Sequence, residues 1–152
     1  MKIEVLGAHN TETDRARLPC LLVDDVIALD AGGLTSSLTL TRQQAVKSML
    51  LTHHHFDHTR DLIMLAANDT APPSTVEVYG LSETLEVVYL YLLDGKMYRD
   101  YTAWPSKEAP RLLLKPVAQA CCSIAAAHGA GAYGDAGVCQ PFRTLGRLPY
   151  PG

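Results

Sequence analysis

No run of about eighteen consecutive apolar residues occurs in this chain, so nothing in it reads as a membrane-spanning helix. A basic excess is also missing. Thirteen Lys and Arg stand against sixteen Asp and Glu, for a formal net charge of −3, which leaves no electrostatic footprint for nucleic acid. Cysteine is sparse, with four in 152 residues and no Cys-x-x-Cys pair. Cys121 and Cys122 are adjacent and unsuited to bridging each other, and Cys20 lies in a strand pattern as a small buried hydrophobe. That usage suggests a reducing compartment. The N-terminus has no charged region followed by a long apolar core, so no secretory signal is expected, and a cytoplasmic location follows as an expectation. The length is enough for one buried core.

What the chain does have is concentrated in one run, Thr52-His53-His54-His55-Phe56-Asp57-His58. Four of the six histidines fall within it, arranged His-x-His-x-Asp-His. Neutral imidazole nitrogens and carboxylate oxygens are ligands for Zn²⁺ and other borderline divalent ions. Residues two apart on extended backbone point the same way, so His53 and His55 can grip one ion together. Asp57 and His58 can then turn to a second. His54 and Phe56 alternate with these residues and should point away. The run follows Met49-Leu50-Leu51, which reads as the end of a buried strand, and a ligand cluster at a strand end is rigidly held. A solvated loop or a purification tag is the bland alternative, but a tag sits at a terminus and carries no Phe-Asp. His9, in a polar first loop, reads as a solvated loop residue.

The run His53-x-His55-x-Asp57-His58 resembles the signature of the metallo-β-lactamase superfamily of binuclear metal hydrolases. Its context is similar too: an opening strand over Lys2 to Gly7, a hairpin of Cys20–Asp24 and Val26–Asp30, and the element Leu29-Asp30-Ala31-Gly32. The region from Leu81 to Pro116 looks most like the class II cyclic-nucleotide phosphodiesterase and ribonuclease Z branch. The resemblance implies an α/β (α+β) chain with an αββα sandwich fold, of which residues 1–118 supply the N-terminal half. It implies metal ligation by His53, His55, Asp57 and His58, with Asp57 also holding the nucleophile. Asp30 would accept the second N–H of a ligand histidine, or else simply end its strand and bond turn amides. The implied cofactor is Zn²⁺, two per complete site, with Fe or Mn as substitutes. The implied activity is hydrolysis of a small-molecule substrate by metal-activated hydroxide, on a phosphodiester of cyclic-nucleotide type. A lactonase or thioesterase is the alternative enzyme, and a truncated, non-catalytic metal-binding module is the alternative of another class.

Residues 119–152 change character. Alanine, glycine and cysteine dominate from Ala120 to Cys139, and prolines follow, as expected of a truncated or frame-shifted tail. His128 is spaced from His58 (128 − 58 = 70 residues) as a third histidine ligand would be. Gly134-Asp135 resembles the family's bridging aspartate, yet only seven positions separate Asp135 from His128, too few for the strand pair the family places between them. Half a sandwich leaves an apolar sheet face open, and a homodimer in which two copies cover each other's face would close it.

Along the chain, the expected elements are a strand over 2–6, two strands around an Asp24-Asp25 turn, and a helix capped by Thr41 through Lys47. A strand over 49–52, a helix over 59–68 ended by Pro72-Pro73, a strand over 75–79 and a helix capped by Ser82 through Leu93 complete the set.

Overall fold

The computed structural model describes residues 1–68 and 74–118. Among these, six strands form one sheet in sequence order: β1 (Ile3–Gly7), β2 (Cys20–Val23), β3 (Ile27–Leu29), β4 (Ser48–Leu50), β5 (Val76–Leu81) and β6 (Leu112–Val117). The first three are antiparallel neighbours, and β3 through β6 run parallel. Helices fill the crossovers: α1 (Leu34–Ser37) and α2 (Leu40–Ala45) before β4, α3 (Phe56–Thr59) and α4 (Asp61–Ala67) before β5, and α5 (Ser82–Leu92) before β6.

The β2–β3 hairpin closes as expected. Asp24 and Asp25 have φ of 49° and 61°, and Val26 N–H donates to the Val23 carbonyl at 3.1 Å. A two-residue turn with both central residues left-handed matches the twist of its strands, and aspartate tolerates that conformation.

Register assigns each sheet residue a face. Glu4, Leu22, Ala28, Met49, Val78 and Leu114 form one cross-strand row. Most of that row is buried beneath Leu34, Leu38, Leu62, Ile63, Leu65, Leu85 and Val88 of the helices. The adjacent rows, Ile3-Val23-Ile27-Ser48-Glu77-Leu113 and Val5-Leu21-Leu29-Leu50-Tyr79-Lys115, face the other way. They are mostly apolar yet open to solvent. Met49 is fully buried while its neighbour Leu50 is 42% exposed.

Several boundaries differ from expectation. Thr39, not Thr41, caps α2, accepting the Arg42 N–H, because Thr41 is already helical. The helix ends at Ala45, since Val46 turns extended (ψ 123°) to enter β4. Ser82 opens α5 instead of capping it. Leu81 occupies the cap position and makes no side-chain bond. The expected helix over 59–68 starts earlier, at Phe56, inside the histidine run. The strand expected over 49–52 ends at Leu50, and the short α1 and the strand β6 were not anticipated. Pro72-Pro73 and the tail 119–152, with His128, Asp135 and the tail's cysteines, lie outside the described residues.

Candidate metal centre

Asp30 follows β3 directly and the histidine run follows β4, so both leave the carboxyl ends of adjacent parallel strands, where α/β sheets characteristically bind ligands. The Leu29–Leu50 pairing sets them side by side, and Asp30 N–H donates to the Leu50 carbonyl at 2.8 Å. The two loops are then sewn together. Ala31 N–H donates to the His58 carbonyl and Asp61 N–H to the Ala31 carbonyl, each at 2.7 Å. Gly32 makes this approach possible, because a Cβ there would run into the Asp57 carbonyl oxygen. Buried Asp61 adds a further tie, accepting from Thr35 N–H at 2.6 Å and from Arg60 Nε at 2.9 Å.

Asp30 is buried and its φ of 58° is left-handed. Its carboxylate accepts the Thr52 backbone N–H at 2.8 Å and the Thr52 hydroxyl at 2.9 and 3.0 Å. Its Oδ2 also lies 2.8 Å from His58 Nδ1. A carboxylate only accepts, so Nδ1 of His58 carries the proton and Nε2 presents its lone pair. That Nε2 stands 3.4 Å from Asp57 Oδ2. Two ligand atoms bound to one tetrahedral zinc at about 2.1 Å are about 3.4 Å apart, so this pair has the spacing of adjacent donors on one ion.

The other imidazoles gather at the same place. The His53 ring centroid is 4.0 Å from that of His58 and 4.6 Å from that of His55. Burial, and then the neighbouring His58 and His55, push the His53 pKa below its ordinary value, which favours the neutral form that binds metal. The rings pack against one another instead of opening around a point, and among the described residues no group of three or more His, Cys, Asp or Glu is arranged to hold an ion. Ring rotation about the side-chain torsions would be needed to bring a third donor to the Asp57–His58 pair. The donor chemistry, imidazole nitrogen with carboxylate oxygen, fits Zn²⁺ and also Fe or Mn.

No family model matches the chain, and no curated protein matches it. Solved structures do. Unliganded yeast PDE1 aligns over 76% of this chain and 50% of its own, at 18% identity and a TM-score of 0.58. The metallo-β-lactamase fold protein YhfI from Bacillus subtilis aligns over 76% and 44%, at 14% identity and a TM-score of 0.50. The chain has the metallo-β-lactamase fold. It spans about half the length of the solved structures it matches.

Within this metallo-β-lactamase fold the sequence-expected residues separate into groups. His53, His55, Asp57, His58 and Asp30 come together at one rim. His54 and Phe56 instead line a cleft of about 180 Å³ against Val87, Val88, Tyr91 and Leu92 of the α5 side. His9 is exposed in the first loop. Cys20 is buried, and desolvation pushes its thiol up to about 12, so it is no nucleophile near neutral pH. Thr52 and Asp61 were not expected. Only their positions signal them in sequence, Thr52 immediately before His53 and Asp61 three residues after His58.

Proposed function

We propose that this chain carries the N-terminal ligand set of a metal-dependent hydrolase acting on a phosphodiester of cyclic-nucleotide type. The observation that supports it most is the Asp57–His58 donor pair, spaced for one ion and held by Asp30 at the carboxyl end of the sheet. His53 and His55 would hold one metal, and Asp57 and His58 a second. A bound divalent ion would lower the pKa of water toward neutrality and polarise the bond under attack. The chain's own part is to fix these donors. Asp57 contributes the anionic oxygen beside the reacting centre, at the first turn of α3, where the helix dipole favours negative charge. Asp30 holds the His58 ring from behind.

The phosphodiester reading rests on the likeness to yeast PDE1 and on the resemblance of the region Leu81 to Pro116, and a lactonase or thioesterase is the alternative on the same site. A truncated, non-catalytic metal-binding module is the alternative of another class; among the described residues the ring packing closes no three-donor group. A homodimer that covers the open sheet face would supply both burial for Val5, Leu50 and Leu113 and a source of further ligands.

The test is turnover of bis-p-nitrophenyl phosphate, a 3′,5′-cyclic nucleotide and a lactone by zinc-loaded protein and by His55→Ala. Hydrolysis of the phosphodiesters that disappears in the variant supports the proposal. Undiminished turnover in His55→Ala would place the activity elsewhere.

A further inference from the structure

We infer that Thr52 is a positioning residue that selects the tautomer of His53, so that one buried carboxylate, that of Asp30, orients two imidazoles, one directly and one through a hydroxyl. The inference rests on the metal-site reading above and goes beyond it by giving a role to a residue outside the ligand motif.

The argument is a proton count. The Thr52 hydroxyl oxygen lies 2.9 and 3.0 Å from the two Asp30 carboxylate oxygens and 3.0 Å from His53 Nδ1. It owns one proton and can accept others. Asp30 can only accept, so that proton points to the carboxylate. A proton pointing at His53 instead would leave two oxygens bearing lone pairs facing each other, one of them charged. With its proton committed, the hydroxyl can only accept from His53. The Nδ1 of His53 is therefore the protonated nitrogen, and Nε2 carries the lone pair. His58 is set the same way, since its Nδ1 donates to Asp30 Oδ2 at 2.8 Å. Both rings thus present Nε2 as a ligand from one carboxylate.

Geometry keeps the relay in register. The Thr52 backbone N–H also donates to Asp30 Oδ1 at 2.8 Å, so the residue is fixed at two points. Asp30 is in turn fixed by the β3–β4 pairing and its own N–H bond to Leu50. A valine at position 52 keeps the branched shape, loses the relay and leaves His53 Nδ1 facing a methyl group. A serine keeps the hydroxyl.

The test is the tautomer of His53 in metal-free protein, read from long-range proton–nitrogen correlations of the labelled histidine rings, at a pH above the imidazole titration range. Wild-type protein is expected to show His53 and His58 protonated on Nδ1. Thr52→Val should move His53 alone toward the Nε2–H form, and Thr52→Ser should keep the wild-type pattern. Zinc affinity by chelator competition should fall about tenfold in Thr52→Val and recover in Thr52→Ser, the scale expected when a partner behind a ligand is lost. An Nε2–H His53 in the wild type, or an unchanged His53 in Thr52→Val, overturns the inference. If Thr52→Val does not fold, the wild-type tautomer and Thr52→Ser still decide it. The ring spectra need neither metal nor turnover. An Nδ1–H His53 in a protein that hydrolyses nothing would therefore sink the hydrolase reading and leave the relay standing, and an Nε2–H His53 in an active hydrolase would do the reverse.

Discussion

Strand β3 has an aspartate near each end, Asp25 before it and Asp30 after it, and both have a left-handed φ. Their φ values are 61° and 58°. Their surroundings differ completely. Asp25 lies on the hairpin turn, 43% exposed at its side chain, and meets cations: Arg42 at 2.6 Å and Lys2 at 3.0 Å, with Glu4 joining the network. Asp30 is buried, and among the described residues it meets no Lys or Arg side chain. Its partners are a hydroxyl, a backbone N–H and an imidazole. A surface carboxylate beside arginine and lysine is balanced by charge and is worth little to stability. A buried carboxylate surrounded by weaker donors is costly to bury unless every donor is aimed at it, and that aiming fixes the donors in return. One aspartate secures a turn, and the other holds Thr52 and the His58 ring in place.

Removing each carboxylate should expose this asymmetry. Asp30→Ala should give the largest effect: loss of zinc affinity by about 100-fold and of stability by about 2–3 kcal/mol from the donors left unsatisfied, measured by chelator competition and urea unfolding. Asp30→Asn keeps the tolerance for left-handed backbone. It should regain part of the stability but not the affinity, separating conformation from charge. If Asp30→Ala binds zinc like the wild type, the two aspartates are alike and the comparison fails.

Gly32→Ala comes next. It pushes a methyl group into the Asp57 carbonyl at the seam between the Asp30 loop and the histidine run, and should cost about 1–3 kcal/mol by overpacking. Zinc affinity should fall with it, since the seam sets the position of Asp57. A variant that lost stability but kept full affinity would show that the seam does not place the ligands.

Asp25→Asn should do least, with zinc affinity unchanged. Arg42 first, then Lys2, holds the Asp25 carboxyl below its ordinary value, and Arg42 does the same to Glu4. Carboxylates with depressed folded-state values add stability that is present above their unfolded values and lost as pH falls through the folded ones. The wild-type advantage over Asp25→Asn should therefore be small at neutral pH, vanish in acid below the ordinary carboxylate range, and shrink in high salt. A thermal melt series in pH and salt checks this.

The histidine run was legible as a candidate site because its signal is local: histidines two apart with an aspartate beside them need no distant contact to be noticed. The Asp24-Asp25 turn was legible for the same reason. Strand β6 was not, because Lys115 and Pro116 break its pattern and its pairing with β5 spans a long crossover. Thr52 escaped because its role depends on Asp30, 22 residues away, and becomes visible only when β3 and β4 pair. Asp61 reaches back 26 residues to Thr35 N–H. Thr39 and Thr41 are equally good cap residues by type, and only the backbone separates them: Thr39 is extended (ψ 157°) while Thr41 is already inside the helix.

The most direct test of the central claim is equilibrium dialysis of the size-fractionated chain against Zn²⁺, with His53→Ala/His55→Ala and Asp57→Ala/His58→Ala alongside. The metal-site account predicts at least one tightly held zinc per chain, diminished by either double substitution. Absence of saturable zinc binding by the wild type, or binding that survives both double substitutions, would contradict it.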